Sequence, residues 1–130
     1  MPNIFISHSW KYDQDYITLV SLLKERGYFS FKNYSIPEEN QIEGNRQKVW
    51  DEITSSIQWS SIVILIAGVY ASYSDSIVKE INIARRLGKP ILAVKPYGND
   101  YSSNLTDKAD KTVNWNTESI VQAIRELTRG

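Results

Sequence analysis

Residues 61–67 read Ser-Ile-Val-Ile-Leu-Ile-Ala, a β-branched run with no polar alternation. A strand wet on one face alternates apolar with polar residues, whereas one covered on both faces does not. The stretch therefore predicts a central parallel strand buried between two layers. The apolar run over 62–71 is only about half of the ~20 residues a membrane span needs.

Working outward, helical and extended patterns alternate. Residues 90–95 (PILAVK) predict another buried strand, 3–7 (NIFIS) a short apolar one, 28–32 (YFSFK) an alternating one and 112–115 a weak last one. Helical spacing runs over 13–26, through Tyr16, Leu19, Val20 and Leu23, and over 47–58, through Val49, Trp50, Ile53 and Ile57. Gly27 stands where a helix C′ residue belongs. A third helix over 74–87 has Ser74 or Asp75 as N-cap and Gly88 then Pro90 as stop signals. Asn116 caps a final helix with Ile120, Val121, Ile124 and Leu127 on its inner face. Residues 33–45, with Pro37 and Gly44, and 97–111, with Gly98, read as loops.

Strands alternating with helices make a parallel sheet with right-handed crossovers. The predicted fold class is α/β: a flavodoxin-like three-layer sandwich, sheet order 2-1-3-4-5, with helices on both faces. The 97–111 loop replaces the helix expected between the fourth and fifth strands. The chain, 1–130, is expected to form one domain. At this length about two thirds of the unfolded surface is buried on folding, so no metal or disulfide staple is needed.

Composition removes several classes of function. There is no cysteine and one histidine, His8, so a disulfide scaffold, a thiolate zinc site and a histidine-rich metal site are out, and no metal is expected. The 15 basic and 15 acidic residues cancel, which argues against charge-driven binding of nucleic acid or a membrane surface. The N-terminal residues lack the basic and apolar regions of a signal peptide. A cytoplasmic domain with no membrane partner is the expectation.

In such a sheet, ligands bind outside the carboxyl ends of the strands, where the strand order reverses. That places residues 7–13, 33–44, 67–75 and 95–99 around any site. A phosphoryl-accepting receiver needs carboxylates after the first and third strands. Here those strands end in Ser7-His8-Ser9-Trp10 and Ala67-Gly68-Val69-Tyr70. Ser7 and Ser9 offer hydroxyls, but no glycine between Asn3 and Arg26 supports a flavin-phosphate loop, and the glycine-rich nucleotide motifs are absent. Ser7 and His8 point to opposite faces of a strand, so they do not form a nucleophile–base pair.

Glu80 is the carboxylate of interest. Ile77, Ile81, Ala84 and Gly88 centre the apolar face of its helix. Glu80 lies roughly 60–70° from that centre, at the boundary. Its helical neighbours Ser76, Ile77, Ile83 and Ala84 include no base, so no local ion pair explains it. Two roles stay open: a catalytic or electrostatic carboxylate, or a boundary glutamate paired through space. Phe5, Phe29, Phe31 and Trp50 read as core. Trp10, Tyr12, Tyr34, Tyr70 and Tyr73, in the strand-end loops, could stack on a flat ring or form a protein interface.

These residues resemble a known family. The opening 3–10, Ile-Phe-Ile-Ser-His-Ser-Trp after Asn3, is similar to the first strand of TIR and TIR-like domains. Asn33-Tyr-Ser-Ile-Pro37 resembles the start of the long loop after their second strand. Residues 72–84 resemble the helix that carries the TIR catalytic glutamate, and Leu87-Gly-Lys-Pro-Ile91 the entry to the next strand. The family includes the signal-producing TIR proteins of bacterial Thoeris antiphage defence. The resemblance implies cleavage of NAD, as substrate rather than cofactor, at its nicotinamide N-glycosidic bond. It makes Glu80 the catalytic residue, with Ser7, His8, Trp10, Asn33, Tyr34 and Ser35 lining the substrate. It implies self-association or pairing with another TIR-like chain, and a separate effector protein that responds to an ADP-ribose-type signal. The chain departs from many catalytic members, which carry Trp-Cys shortly before the glutamate. Here 76–79 reads Ser-Ile-Val-Lys, and Asn33 stands in place of an Asp after the second strand. The alternative is a non-enzymatic interaction module that binds through 33–44 and its exposed aromatics.

Overall fold

The first strand is buried on both faces, and the alternating direction of its side chains decides which layer each helix joins. In the computed structural model, which describes residues 2–7, 14–35, 46–66, 75–95 and 109–129, strand β1 is Asn3–Ser7. Its Ile4 and Ile6 point to one side of the sheet and Phe5 to the other. On the first side, Ile62, Ile64 and Ile66 of β3 (Ile62–Ile66) and Leu92 and Val94 of β4 (Ile91–Lys95) continue the apolar surface. Helix α1 (Gln14–Glu25) covers it with Leu19 and Leu23, and helix α4 (Thr117–Thr128) with Ile120, Val121, Ala123 and Ile124. On the second side, Phe5, Val63, Leu65, Ile91 and Ala93 meet Ile53 and Ile57 of α2 (Arg46–Trp59) and Ile81, Ile83 and Ala84 of α3 (Asp75–Arg86).

With β2 (Lys32–Asn33) and β5 (Lys111–Asn114) added, the sheet order is β2-β1-β3-β4-β5, parallel throughout. This is the predicted flavodoxin-like order. Every residue of β3 is buried, as its unalternating sequence requires. Ser7 of β1 pairs with Leu65 of β3, and Leu65 with Ala93 of β4. The order reverses between β1 and β3, so Ser7 ends its strand at the switch point.

Two expected strands move. The second is Lys32–Asn33, not 28–32. Tyr28 is fully exposed with φ 63°, so the chain is still turning there. The YFSFK alternation has another cause: Phe29 is buried, Phe31 packs partly against the same core, and their rings stack at 5.7 Å. The fifth strand begins at Lys111 because Asp110 is already anchored. Its N–H donates to the Ile91 carbonyl at 2.8 Å, and its Oδ2 accepts from the Ile91 N–H at 2.7 Å.

Helix ends follow cap chemistry. Asn116 Oδ1 accepts from the Ser119 N–H at 3.0 Å, the predicted N-cap of α4. Gly88, at φ 71°, closes α3 with a Schellman pair: Lys89 N–H to the Ala84 carbonyl at 2.9 Å and Gly88 N–H to the Arg85 carbonyl at 3.1 Å. After α1 the left-handed residue is Tyr28, not Gly27. Residues 36–45 of the second loop and 96–108 of the fourth lie outside the described residues. Among the described residues, no helix is long and apolar enough to cross a membrane.

Candidate active site at the carboxyl ends of the strands

Ser7 has the parity of Phe5, so its side chain enters the layer that holds α2 and α3. It is fully buried. Its Oγ has no well-aligned hydrogen bond among the described residues. Helix α3 presents Glu80 to it, and the Ser7 hydroxyl lies near enough to favour the ionised carboxylate.

The boundary position expected for Glu80 is corrected by the structure, which leaves only 2% of the residue exposed. The expected stripe used Ile77, Ile81, Ala84 and Gly88. The described inward residues are Ile81, Ile83, Ala84 and the partly buried Leu87. Ile83 and Leu87 rotate the centre of the face until Glu80 lies within roughly 15° of it. A helix packed against both a sheet and a neighbouring helix buries a wider arc than a single apolar stripe discloses.

Burial among hydrocarbon raises the Glu80 carboxyl to about 8, the cost of desolvating a charge, and the Ser7 hydroxyl opposes this in part. Among the described residues, no cation pairs with it. Lys79, its chain neighbour, instead sets its Nζ 4.1 Å from the centre of the Trp50 ring. Burial thus favours the neutral carboxyl at neutral pH, a form that carries an O–H donor. Once ionised, it becomes a strong stabiliser of nearby positive charge, because little water screens it.

The other expected site residues are placed as follows. Ser35 Oγ accepts from the Ile6 N–H at 2.9 Å, standing in for a strand carbonyl beside β1. Asn33 Oδ1 accepts from the Ser35 N–H at 3.0 Å, an Asx-type turn, while its Nδ2 donates to the Tyr16 hydroxyl at 2.9 Å. The Tyr34 N–H donates to the Ile4 carbonyl at 2.7 Å. Residues 33–35 thus seal the outer edge of β1 near its carboxyl end. His8 and Trp10 lie outside the described residues, as do Tyr12, Tyr70 and Tyr73.

The Ser7–Glu80 juxtaposition was not read from the sequence, although strand parity from Phe5 was the available signal. A second unanticipated feature is a groove of about 530 Å³ between α2 and α3, lined by Trp50, Asp51, Thr54, Lys79, Ile83 and Arg86. Trp50, expected in the core, is half-buried at its rim. Among the described residues, no group of three or more histidine or acidic side chains is placed to hold a metal ion.

A doubly wound parallel sheet with a buried carboxyl against the end of its first strand defines an α/β domain of flavodoxin-like architecture with a candidate site at the switch point. The chain belongs to the family described as Thoeris protein ThsB, TIR-like domain, whose model matches residues 5–101. That span holds both Ser7 and Glu80. Among curated protein sequences none matches the chain. Similar solved structures include a CMP N-glycosidase from Clostridium botulinum, at TM-score 0.60 and 14% identity, covering 94% of this chain and 97% of that one. A 2-deoxyribosyltransferase from Bacillus psychrosaccharolyticus gives TM-score 0.65 and 20% identity over 91% of this chain and 89% of that one. A 3-dehydroquinate dehydratase-like protein from Bifidobacterium longum gives 0.51 and 11% over 98% and 94%. At such identities these likenesses establish the fold alone.

Proposed function

We propose that this domain cleaves NAD at the nicotinamide N-glycosidic bond, with Glu80 as the catalytic residue, and so makes an ADP-ribose-type signal, linear or cyclic, in antiphage defence. The observation that carries the reading is Glu80 itself: a carboxyl 2% exposed, without a cationic partner among the described residues, at the end of the sheet where α/β domains bind ligands. Membership of the Thoeris family supports the defence context. The likeness to a CMP N-glycosidase and a 2-deoxyribosyltransferase supports N-glycosidic chemistry on this fold.

As the bond breaks, its electron pair passes to the nicotinamide nitrogen, and nicotinamide leaves as a neutral base that needs no proton. Positive charge develops at the ribose C1′ and ring oxygen. An ionised Glu80 stabilises that charge more than it stabilises the ground state. Water then attacks C1′ and loses its proton, or the adenine ring closes on C1′ instead. The cationic nicotinamide ring also favours ionisation of the carboxyl, so NAD binding expels the Glu80 proton. His8, Trp10, Asn33, Tyr34 and Ser35 shape the substrate side. The domain works in the cytoplasm, by self-association or with another TIR-like chain, and a separate effector protein reads its product.

The test is NAD turnover with mass-spectrometric product identification, wild type beside Glu80→Gln, with and without conditions that promote assembly. Nicotinamide release by wild type and its loss in the folded variant are expected. A wild type inert in every condition overturns the proposal and leaves the interaction module.

A further inference from the structure

We infer that Ser7 is a positioning residue whose hydroxyl orients the Glu80 carboxyl and makes no contact with substrate. The inference rests on the reading of Glu80 as the catalytic group. It replaces the substrate-lining role that family resemblance gives Ser7.

Ser7 has no exposed surface, while its Oγ lacks a well-aligned hydrogen bond among the described residues. Strand parity aims it into the layer occupied by α3. The side chains described there are hydrocarbon: Phe5, Val63 and Leu65 from the sheet, Ile53 and Ile57 from α2, Ile81 from α3. A hydroxyl in such surroundings is stabilised by a polar partner, and Glu80 is the polar group that α3 brings to it. The relationship is mutual, since a serine O–H donates to a carboxylate and accepts from a carboxylic acid.

Among the described side chains, the charged groups on the packed elements do not take this role. Asp51 and Glu52 of α2 and Lys79, Arg85 and Arg86 of α3 are exposed. Lys95 of β4 has the parity of Ile91 and Ala93, yet the carboxyl responds to burial and to Ser7, not to a cation. Ser7 is therefore the polar group that orients the Glu80 carboxyl and offsets part of the penalty that burial sets on its ionisation.

The test compares wild type, Ser7→Ala and Ser7→Thr. The Glu80 carboxyl is followed by carbon NMR in protein labelled at glutamate side chains, its signal assigned by loss in Glu80→Gln. In Ser7→Ala the titration midpoint is expected to rise by roughly half a pH unit or more. Ser7→Thr, which keeps the hydroxyl, restores it. In turnover, Ser7→Ala lowers kcat for NAD with a smaller change in KM, and the acid limb of the pH profile moves with the midpoint. An unmoved midpoint in folded Ser7→Ala overturns the inference, as does a loss confined to KM, the mark of a substrate contact. If no variant cleaves NAD, the titration still decides whether Ser7 governs Glu80, and the NAD reading falls separately.

Discussion

Ser7 and Glu80 face each other at the switch point of the sheet, one with no exposed surface and the other with 2%. Neither arrives there by chance of packing. Ser7 is the last residue of β1, in register with Leu65 of the central strand, on the face that α3 covers. Glu80 sits close to the middle of the face that α3 buries. Helix α3 thus sets a titratable acid at the end of the sheet where such folds bind ligands, and the hydroxyl of β1 is its neighbour. A domain selected for stability alone would gain by an apolar residue at position 80. The acid costs stability in its ionised form, and that cost is measurable.

The first expectation concerns folding. The Glu80 carboxyl titrates at about 8 in the folded chain, against an ordinary 4.5. Below the ordinary value both states hold the proton and stability is full. As pH rises toward 8 the unfolded chain releases its proton more readily, so stability falls, and it levels off above the folded value. Glu80→Gln removes this slope. At neutral pH the variant is expected to be more stable than wild type by roughly 2–4 kcal/mol, with the two converging near pH 4. Urea unfolding at three or four pH values checks this. Equal slopes would show that Glu80 is ionised in the folded protein.

The same carboxyl sets the rate profile. For the free protein, kcat/KM toward NAD is expected to rise with pH through about 8, where the folded Glu80 gives up its proton. The profile of kcat alone should lie at lower pH, because bound NAD brings a cationic ring to the carboxyl. Proton release on mixing with NAD in weak buffer would report the same ionisation directly. A rate that falls as pH rises through this window would assign Glu80 the opposite role, that of a proton donor.

Strand identity was legible wherever burial alone wrote the sequence. The β-branched run 61–67 declares a strand covered on both faces, and the structure makes all of Ile62–Ile66 buried. The cap of α4 was legible because Asn116 acts on its own helix. The second strand was not, because Phe29 and Phe31 alternate for packing while the ladder bonds come from residues 32–34. Glu80 was legible as a residue of interest but not as a buried one. Its burial depends on Ile83 and Leu87 packing against the core that the sheet and α2 form together, and no single-helix periodicity contains those partners. The polar work of Asn33 and Ser35 at the β1 edge was invisible for the same reason: Ile6, which Ser35 serves, is 29 positions away.

That edge bond supports a prediction about Ser35. Its Oγ accepts the Ile6 N–H at 2.9 Å in a partly buried setting. Ser35→Ala leaves that amide without its acceptor, and a loss of about 1–2 kcal/mol is expected. Hydrogen exchange localises the effect: the Ile6 amide should exchange faster, while the Ile64 amide in the central strand changes only with global stability. Unchanged protection at Ile6 would mean that another acceptor replaces Ser35.

Two glycines look alike in sequence, each standing two residues past a helix, yet they should respond differently to substitution. Gly88 holds φ 71° and carries the bonds that close α3. An added Cβ there meets nothing within 4 Å, so the cost of Gly88→Ala is conformational rather than steric with neighbours. A destabilisation of about 1 kcal/mol follows from placing alanine in the left-handed region. Gly27 has open space for a Cβ and no positive φ, since Tyr28 takes the left-handed position at φ 63°. Gly27→Ala should therefore be neutral or stabilise by about 0.4–1 kcal/mol, through loss of freedom in the unfolded chain. Tyr28→Gly completes the comparison. The Tyr28 residue is fully exposed, and its carbonyl accepts from Arg125 Nη2 at 2.7 Å. Relief of left-handed strain, about 1–2 kcal/mol, should outweigh the added freedom of glycine, about 0.5–1 kcal/mol. Thermal unfolding of the three variants beside wild type tests the set, and a stabilising Gly88→Ala would be incompatible with the Schellman closure of α3.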